Sequence, residues 1–241
     1  MSVPNPSISA PRSGLLTLSR RAALMGGVAA LASGCASLES LQTATQAPDL
    51  YALSPKSSFD LDLPTIVAQV VVDEPTASAA VNTDRIAVRP HPLKVEYFPR
   101  VRWVDRAPLM IQNLMVESIE NTGKVLGVGR RAGGLSGDYT LLTDLREFQA
   151  ETEPVAKSDA TLEAPDVPLT VHVRLNMKVV VEPAGLIAAS DTFAFKILAA
   201  SSDILDIAEA FDIALGKCIG RAVSWSLRVI ADIEARPRPR R

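Results

Sequence analysis

Cysteine and histidine are scarce in this chain. Its 241 residues include two cysteines, Cys35 and Cys218, and two histidines, His91 and His172. A disulfide-dense scaffold is therefore excluded. No His, Cys and carboxylate residues cluster at ligand spacing, so a zinc site has no support from the sequence. Aromatic residues make up only 5% of the chain, so the core has to be built mainly from Val, Ile, Leu and Ala. Basic excess is also missing. Residues 1–34 hold Arg12, Arg20 and Arg21 and no acid, while the rest carries 22 Lys and Arg against 27 Asp and Glu. A mildly acidic domain repels phosphate backbones, and nucleic acid is not an expected partner.

The N-terminus reads as an address. After Ser19-Arg20-Arg21 comes an apolar stretch from Ala22 to Ala32. It is about half the length that spans a bilayer, which fits the core of an export leader rather than a permanent membrane helix. Leu31-Ala32-Ser33-Gly34-Cys35 then resembles a bacterial lipobox, with Ala32 where Leu is usual. Small side chains admit the peptidase, and the cysteine sulfur accepts the diacylglyceryl group. Cys35 is the expected lipidation site; an ordinary cleavage site beside an incidental cysteine is the alternative. Arg20-Arg21 also resembles a twin-arginine signal, so the export route stays open. Two or three acyl chains, at about 0.8 kcal/mol per buried methylene, would make release rare. Ala36 follows the cysteine where Asp would favour inner-membrane retention, which points to the outer membrane.

The expected organisation is a leader over 1–34, a flexible tether over 35–49, a folded domain over 50–232 and a basic Arg-Pro tail over 233–241. Within the domain, Ile66–Val72, Arg85–Arg89 and Val95–Phe98 read as strands. A helix follows, with Asp105 as N-cap, Val104, Pro108, Ile111, Met115 and Ile119 on one face, and Asn121-Thr122-Gly123 as its stop. Val125–Val128 is a short strand, and Gly129–Gly137 a basic, glycine-rich loop. Tyr139–Ala150, Leu169–Val181 and Leu186–Leu198 read as long strands, the last two joined by a turn at Pro183-Ala184-Gly185. Ser202 or Asp203 caps a closing helix. Its stripe is Ile204, Ala208, Phe211, Leu215, Cys218, Ala222, Trp225 and Val229, which makes Cys218 a core residue. The fold class is therefore α+β: a mixed, mostly antiparallel sheet covered by two main helices, in an order that suggests a duplicated strand-strand-helix unit.

Catalytic motifs are weak. Gly134-Leu135-Ser136-Gly137-Asp138 resembles a nucleophile elbow with the wrong spacing. Gly127-Val128-Gly129 lacks the helix that a dinucleotide loop needs. Asp60 with Asp62, and Asp138 with Asp144, are too loosely spaced to propose a carboxylate pair. No Walker motif is present. The expected protein is not an enzyme and carries no cofactor and no metal. A lipoprotein hydrolase using Ser136 is the least favoured alternative.

Taken in order, several segments resemble the ABC-type transport auxiliary lipoprotein family, also called PqiC-like. They are Tyr51-Ala52-Leu53, Ile66–Val72, Asp84–Arg89, Val101-Arg102-Trp103-Val104-Asp105, Asp138–Leu141, Leu145–Phe148, and Ala208 through Ile219 to Trp225. The resemblance spans about residues 50–230; the segment 151–166 and the Arg-Pro tail depart from it. It implies a non-enzymatic component of a lipid transport system of the mammalian-cell-entry type, docking the assembly at the membrane. The implied partners are a mammalian-cell-entry protein, ABC transporter subunits and the membrane itself, with phospholipid and a homo-oligomer left open. The competing reading is a periplasmic lipid-binding shuttle or chaperone, with ligand between sheet and helices.

Overall fold

In the computed structural model, residues 47–131, 136–152 and 169–236 are described. Cys35, the leader and nearly all of the tether lie outside them, as does the end of the Arg-Pro tail. Among the described residues, nine strands and two helices follow in the order β1 (Asp49–Tyr51), β2 (Ile66–Val72), β3 (Thr76–Ala77), β4 (Arg85–His91), β5 (Lys94–Trp103), α1 (Ala107–Thr122), β6 (Val125–Arg130), β7 (Tyr139–Glu151), β8 (Thr170–Val181), β9 (Leu186–Leu198) and α2 (Ile204–Glu234).

The strands form one open mixed sheet. β7 is its axis. On one side it pairs along its whole length with β8, which pairs in turn with β9, both antiparallel. On the other side β2, β3 and β4 pair with β7 in succession, all parallel. β6 extends the sheet from β2, while β5 and then β1 extend it from β4. The long ladders are antiparallel and the parallel pairings are short, as the sequence pattern suggested. Each helix follows an antiparallel pair, β4–β5 before α1 and β8–β9 before α2, so the strand-strand-helix order recurs.

Alternation decides which face is covered. Val171, Val173, Leu175, Met177 and Val179 of β8 are buried on the helix side, while His172, Arg174 and Lys178 face the other way. In β7 the alternation changes phase. A register shift between Leu145 and Glu147 lets Phe148 as well as Leu145 reach the core. The scarce aromatics concentrate there. Trp103, Phe148 and Phe211 form a trio with ring centroids 4.9–5.6 Å apart, joining β5, β7 and α2.

Two expectations for α1 need correction. Its N-cap is Arg106, with no capping side chain; Asp105 instead accepts a hydrogen bond from the neighbouring Arg106 N–H at 2.8 Å. Val104 does not join the buried face. It precedes the helix, its N–H donates to the Tyr51 carbonyl, and its side chain is exposed. At the other end Gly123 stops the helix at φ 60°, a left-handed conformation suited to glycine. In α2, Asp203 caps by accepting from the Leu205 N–H. The expected stripe holds from Ala208 through Ala222, but Ile204, Trp225 and Val229 are only half-buried. The inner face also takes Ile207, Ile219, Val223, Leu227 and Ile230, because a helix covering a sheet buries more than a narrow seam.

Candidate functional site

Residues 52–65 connect β1 to β2 as an arm laid over both helices. The Ser54 N–H donates to Asp212 of α2, and the Lys56 N–H donates to the Ser118 hydroxyl of α1. The Asn121 side-chain amide donates to the Lys56 carbonyl at 3.1 Å. Further along, Arg228 of α2 pairs with Asp60 and Asp62 at 3.4–3.9 Å. These two aspartates thus act as ion-pair partners for one guanidinium.

Between this arm and β9, the flank of α2 forms the floor of an open groove of about 1000 Å3. Lys56, Ser58, Phe59 and Asp60 form one wall, and Asp191, Phe193 and Phe195 of β9 form the other. Gly216, Lys217, Gly220, Arg221, Ser224, Trp225 and Arg228 line the floor. The small residues make it deep. A methyl group added at Gly216 would meet nothing within 4 Å, and one at Gly220 would meet only the Lys56 side chain. Phe193 and Trp225 stack edge to face with centroids 5.7 Å apart, giving the groove an aromatic patch. Lys217 and Arg221 form no ion pair among the described residues and supply positive charge beside it, while Asp191 and Asp232 of the lining supply negative charge. Such a surface can bind. On its wall the Lys56 ammonium donates to the Ser58 hydroxyl at 3.2 Å, an exposed contact between near neighbours on the arm.

A second polar cluster lies on the uncovered face. Glu147 and Glu151 of β7 and His172 of β8 offer ligand atoms that all lie within 4.8 Å of one another. The sequence reading saw no such cluster, since 147 and 151 meet 172 only through the β7–β8 register. Its neighbours define its chemistry. Arg89 reaches Glu147 at 3.2 Å, Arg174 reaches it at 2.8 Å, and Lys196 reaches Glu151 at 3.2 Å. Three side-chain cations thus already serve the carboxylates, and the arrangement is an ion-pair network across four strands rather than a metal centre. Burial pushes the Glu151 carboxyl up, but hydrogen bonds from Gln149, Lys196 and His172 outweigh it and hold the group below its ordinary range.

The remaining motif residues stay apart. Ser136 is exposed just before β7, whereas His172 lies opposite Gln149, some ten strand residues or roughly 30 Å away. His91, at the end of β4, lies near the same far end of β7. Neither histidine can serve Ser136 as a base. Asp138 instead accepts a hydrogen bond from the Gln69 N–H at 2.8 Å, tying β2 to β7. Asp144 pairs with Arg146. Gly127 and Gly129 lie within β6, and the next described element is the strand β7. Cys218 is fully buried, its sulfur within 3.5 Å of the Val173 carbonyl, and burial pushes the thiol up to about 12. A thiol held protonated is inert.

The described residues thus define a two-layer α+β domain, an open mixed sheet covered on one face by two helices. The chain belongs to the family described as the ABC-type transport auxiliary lipoprotein component, which it matches over residues 51–218. It is also 28% identical over 154 residues to a protein of Bradyrhizobium diazoefficiens titled only as uncharacterized, over 56% of this chain and 41% of that protein. The chain thus spans less than half the length of that relative. Among solved structures, a Xanthomonas campestris protein of the DUF330 family shares the fold, with a TM-score of 0.68 and 24% identity, over 77% of this chain and 98% of that one. A second crystal structure matches with a TM-score of 0.50 and 9% identity, over 78% and 99%.

Proposed function

We propose that this protein is exported, lipidated on Cys35 and held at the periplasmic face of the envelope, at the outer membrane. There it serves as a non-catalytic auxiliary subunit of a lipid transport system pairing an ABC transporter with a mammalian-cell-entry protein. Its work is contact: the lipid fixes the domain at the bilayer, and the domain docks the transport assembly. The observation that carries this reading is the family match, which covers the folded domain from β1 into α2. The lipobox-like sequence before Cys35 and the open groove agree with it. The test is affinity capture of the tagged full-length protein from detergent-solubilised envelopes. Recovery of an ABC subunit and a mammalian-cell-entry protein is expected, and recovery of neither would overturn the reading.

The second reading, a lipid shuttle, needs an apolar cavity between sheet and helices. That space is filled by Trp103, Phe148, Phe211 and the aliphatic residues around them. The open groove on the α2 flank is the place left for a lipid. Native mass spectrometry showing no copurifying lipid would reject the shuttle.

A further inference from the structure

β9 is an edge strand. Its 13 residues pair with β8 alone, and no other described strand covers its outer edge. Alternate peptide groups along it therefore point donors and acceptors into solvent. Long open edges invite pairing with another chain unless proline, bulges or charge blunt them. No proline occurs between Leu186 and Leu198, and the pairing irregularity lies near the strand's beginning, between Val179 and Val180 of β8. Lys196, one of its two charged residues, is engaged by Glu151.

The groove lies on the helix side of this same edge. Phe193 and Phe195 face it from β9, and Lys217, Arg221 and Trp225 face it from α2. A tenth strand laid beside β9, at about 4.8 Å, would direct every second side chain towards that flank. The edge and the groove are thus complementary halves of one surface: one supplies backbone hydrogen bonds, the other side-chain pockets.

We propose that this surface captures an extended segment of a partner protein as a tenth strand, with alternating apolar and acidic residues directed into the groove. The apolar positions pack on Phe193 and Trp225, and the acidic ones meet Lys217 and Arg221. Asp191 and Asp232 also line the groove and repel an acid placed beside them, which sets the register. The inference deepens the docking role proposed above and rests on it for the identity of the partner.

The probe is a synthetic ten-residue peptide alternating Val and Glu, compared with the same peptide carrying Lys for Glu and with phosphatidylglycerol vesicles. The half-buried Trp225 reports occupancy by fluorescence, while Trp103 is buried in the core. The acidic peptide is expected to slow amide exchange at alternate β9 positions and to shift Trp225 emission. The Lys peptide and the Arg221→Glu variant should each bind roughly tenfold more weakly. Gly216→Leu should abolish both signals by filling the groove without adding an indole, and Gly216→Ala should preserve both. Three results would overturn the proposal: unchanged exchange in β9, equal binding of the two peptides, or a Trp225 response to vesicles alone that Arg221→Glu removes. Envelope capture with Gly216→Leu separates the two readings. Partners retained there remove the inference and leave the proposed function standing, whereas partners absent from the wild-type capture overturn the function whatever the peptide does.

Discussion

Replacing Gly216 or Gly220 by Ala should stabilise the protein, which is the reverse of what most substitutions do. Both glycines lie inside α2, where glycine costs about 1 kcal/mol relative to alanine because it keeps more freedom in the unfolded chain. Whether that gain is realised depends on the space around the new methyl. At Gly216 nothing lies within 4 Å, and at Gly220 the nearest atoms are Lys56 methylenes at 3.6–3.8 Å, an ordinary contact with a flexible side chain. Each change should therefore raise the thermal midpoint by about 2–4 °C for a domain of this size. Gly137→Ala is the internal control. There the methyl would stand 2.8 Å from the Gln69 carbonyl oxygen and 2.9 Å from Val71 Cγ2, at the β2–β7 seam. Overpacking of this kind costs about 1–3 kcal/mol. Urea and thermal melts followed by circular dichroism read all three variants. Destabilisation by Gly216→Ala comparable to that of Gly137→Ala would mean that the α2 flank is covered, and the groove argument would fail.

Other outcomes follow from the core and the ion pairs. Phe211→Ala should cost about 3–5 kcal/mol in urea melts, because it empties the centre of the aromatic trio; a cost below 1 kcal/mol would show that the trio is not packed as described. In the folded protein, Cys218 should resist a disulfide-exchange reagent at pH 8 and react once urea unfolds the chain, since burial holds its thiol protonated. Glu151 is depressed below its ordinary value of 4.5, so its contribution is present above that value and is lost as pH falls through the folded value. The urea midpoint should fall on acidification from pH 7 to pH 3, and Glu151→Gln should lower stability at pH 7 while flattening that decline. An unchanged decline would remove Glu151 as its source.

The hairpin of β8 and β9 was legible in the sequence almost to the residue. A β-branched run over β8 and a mostly apolar run over β9, with Phe193, Phe195 and Ile197 in alternation, flank a Pro-Ala-Gly turn, and these signals are local. The cap of α1 was misplaced for a local reason as well. Asp105 and Arg106 are adjacent, and the chain gives the N-cap to Arg106 while Asp105 bonds its neighbour's N–H. The polar network was hidden because Glu147 and Glu151 meet His172 only once the register is known, and the irregularity near Arg146 changes the alternation of β7. The groove was hidden more deeply. It joins residues 56–60, 191–195 and 216–232, three stretches with no common pattern. One usable signal was Gly216, Gly220 and Ser224 at four-residue spacing, small side chains on one flank of a helix whose buried face is mostly apolar.

The intact mass of the mature protein, extracted by detergent from envelopes, bears most directly on the anchor. A chain beginning at Cys35 and carrying diacylglyceryl and acyl mass is the expected result. A water-soluble chain with a free thiol at Cys35, or one that retains residues 1–34, would contradict the account.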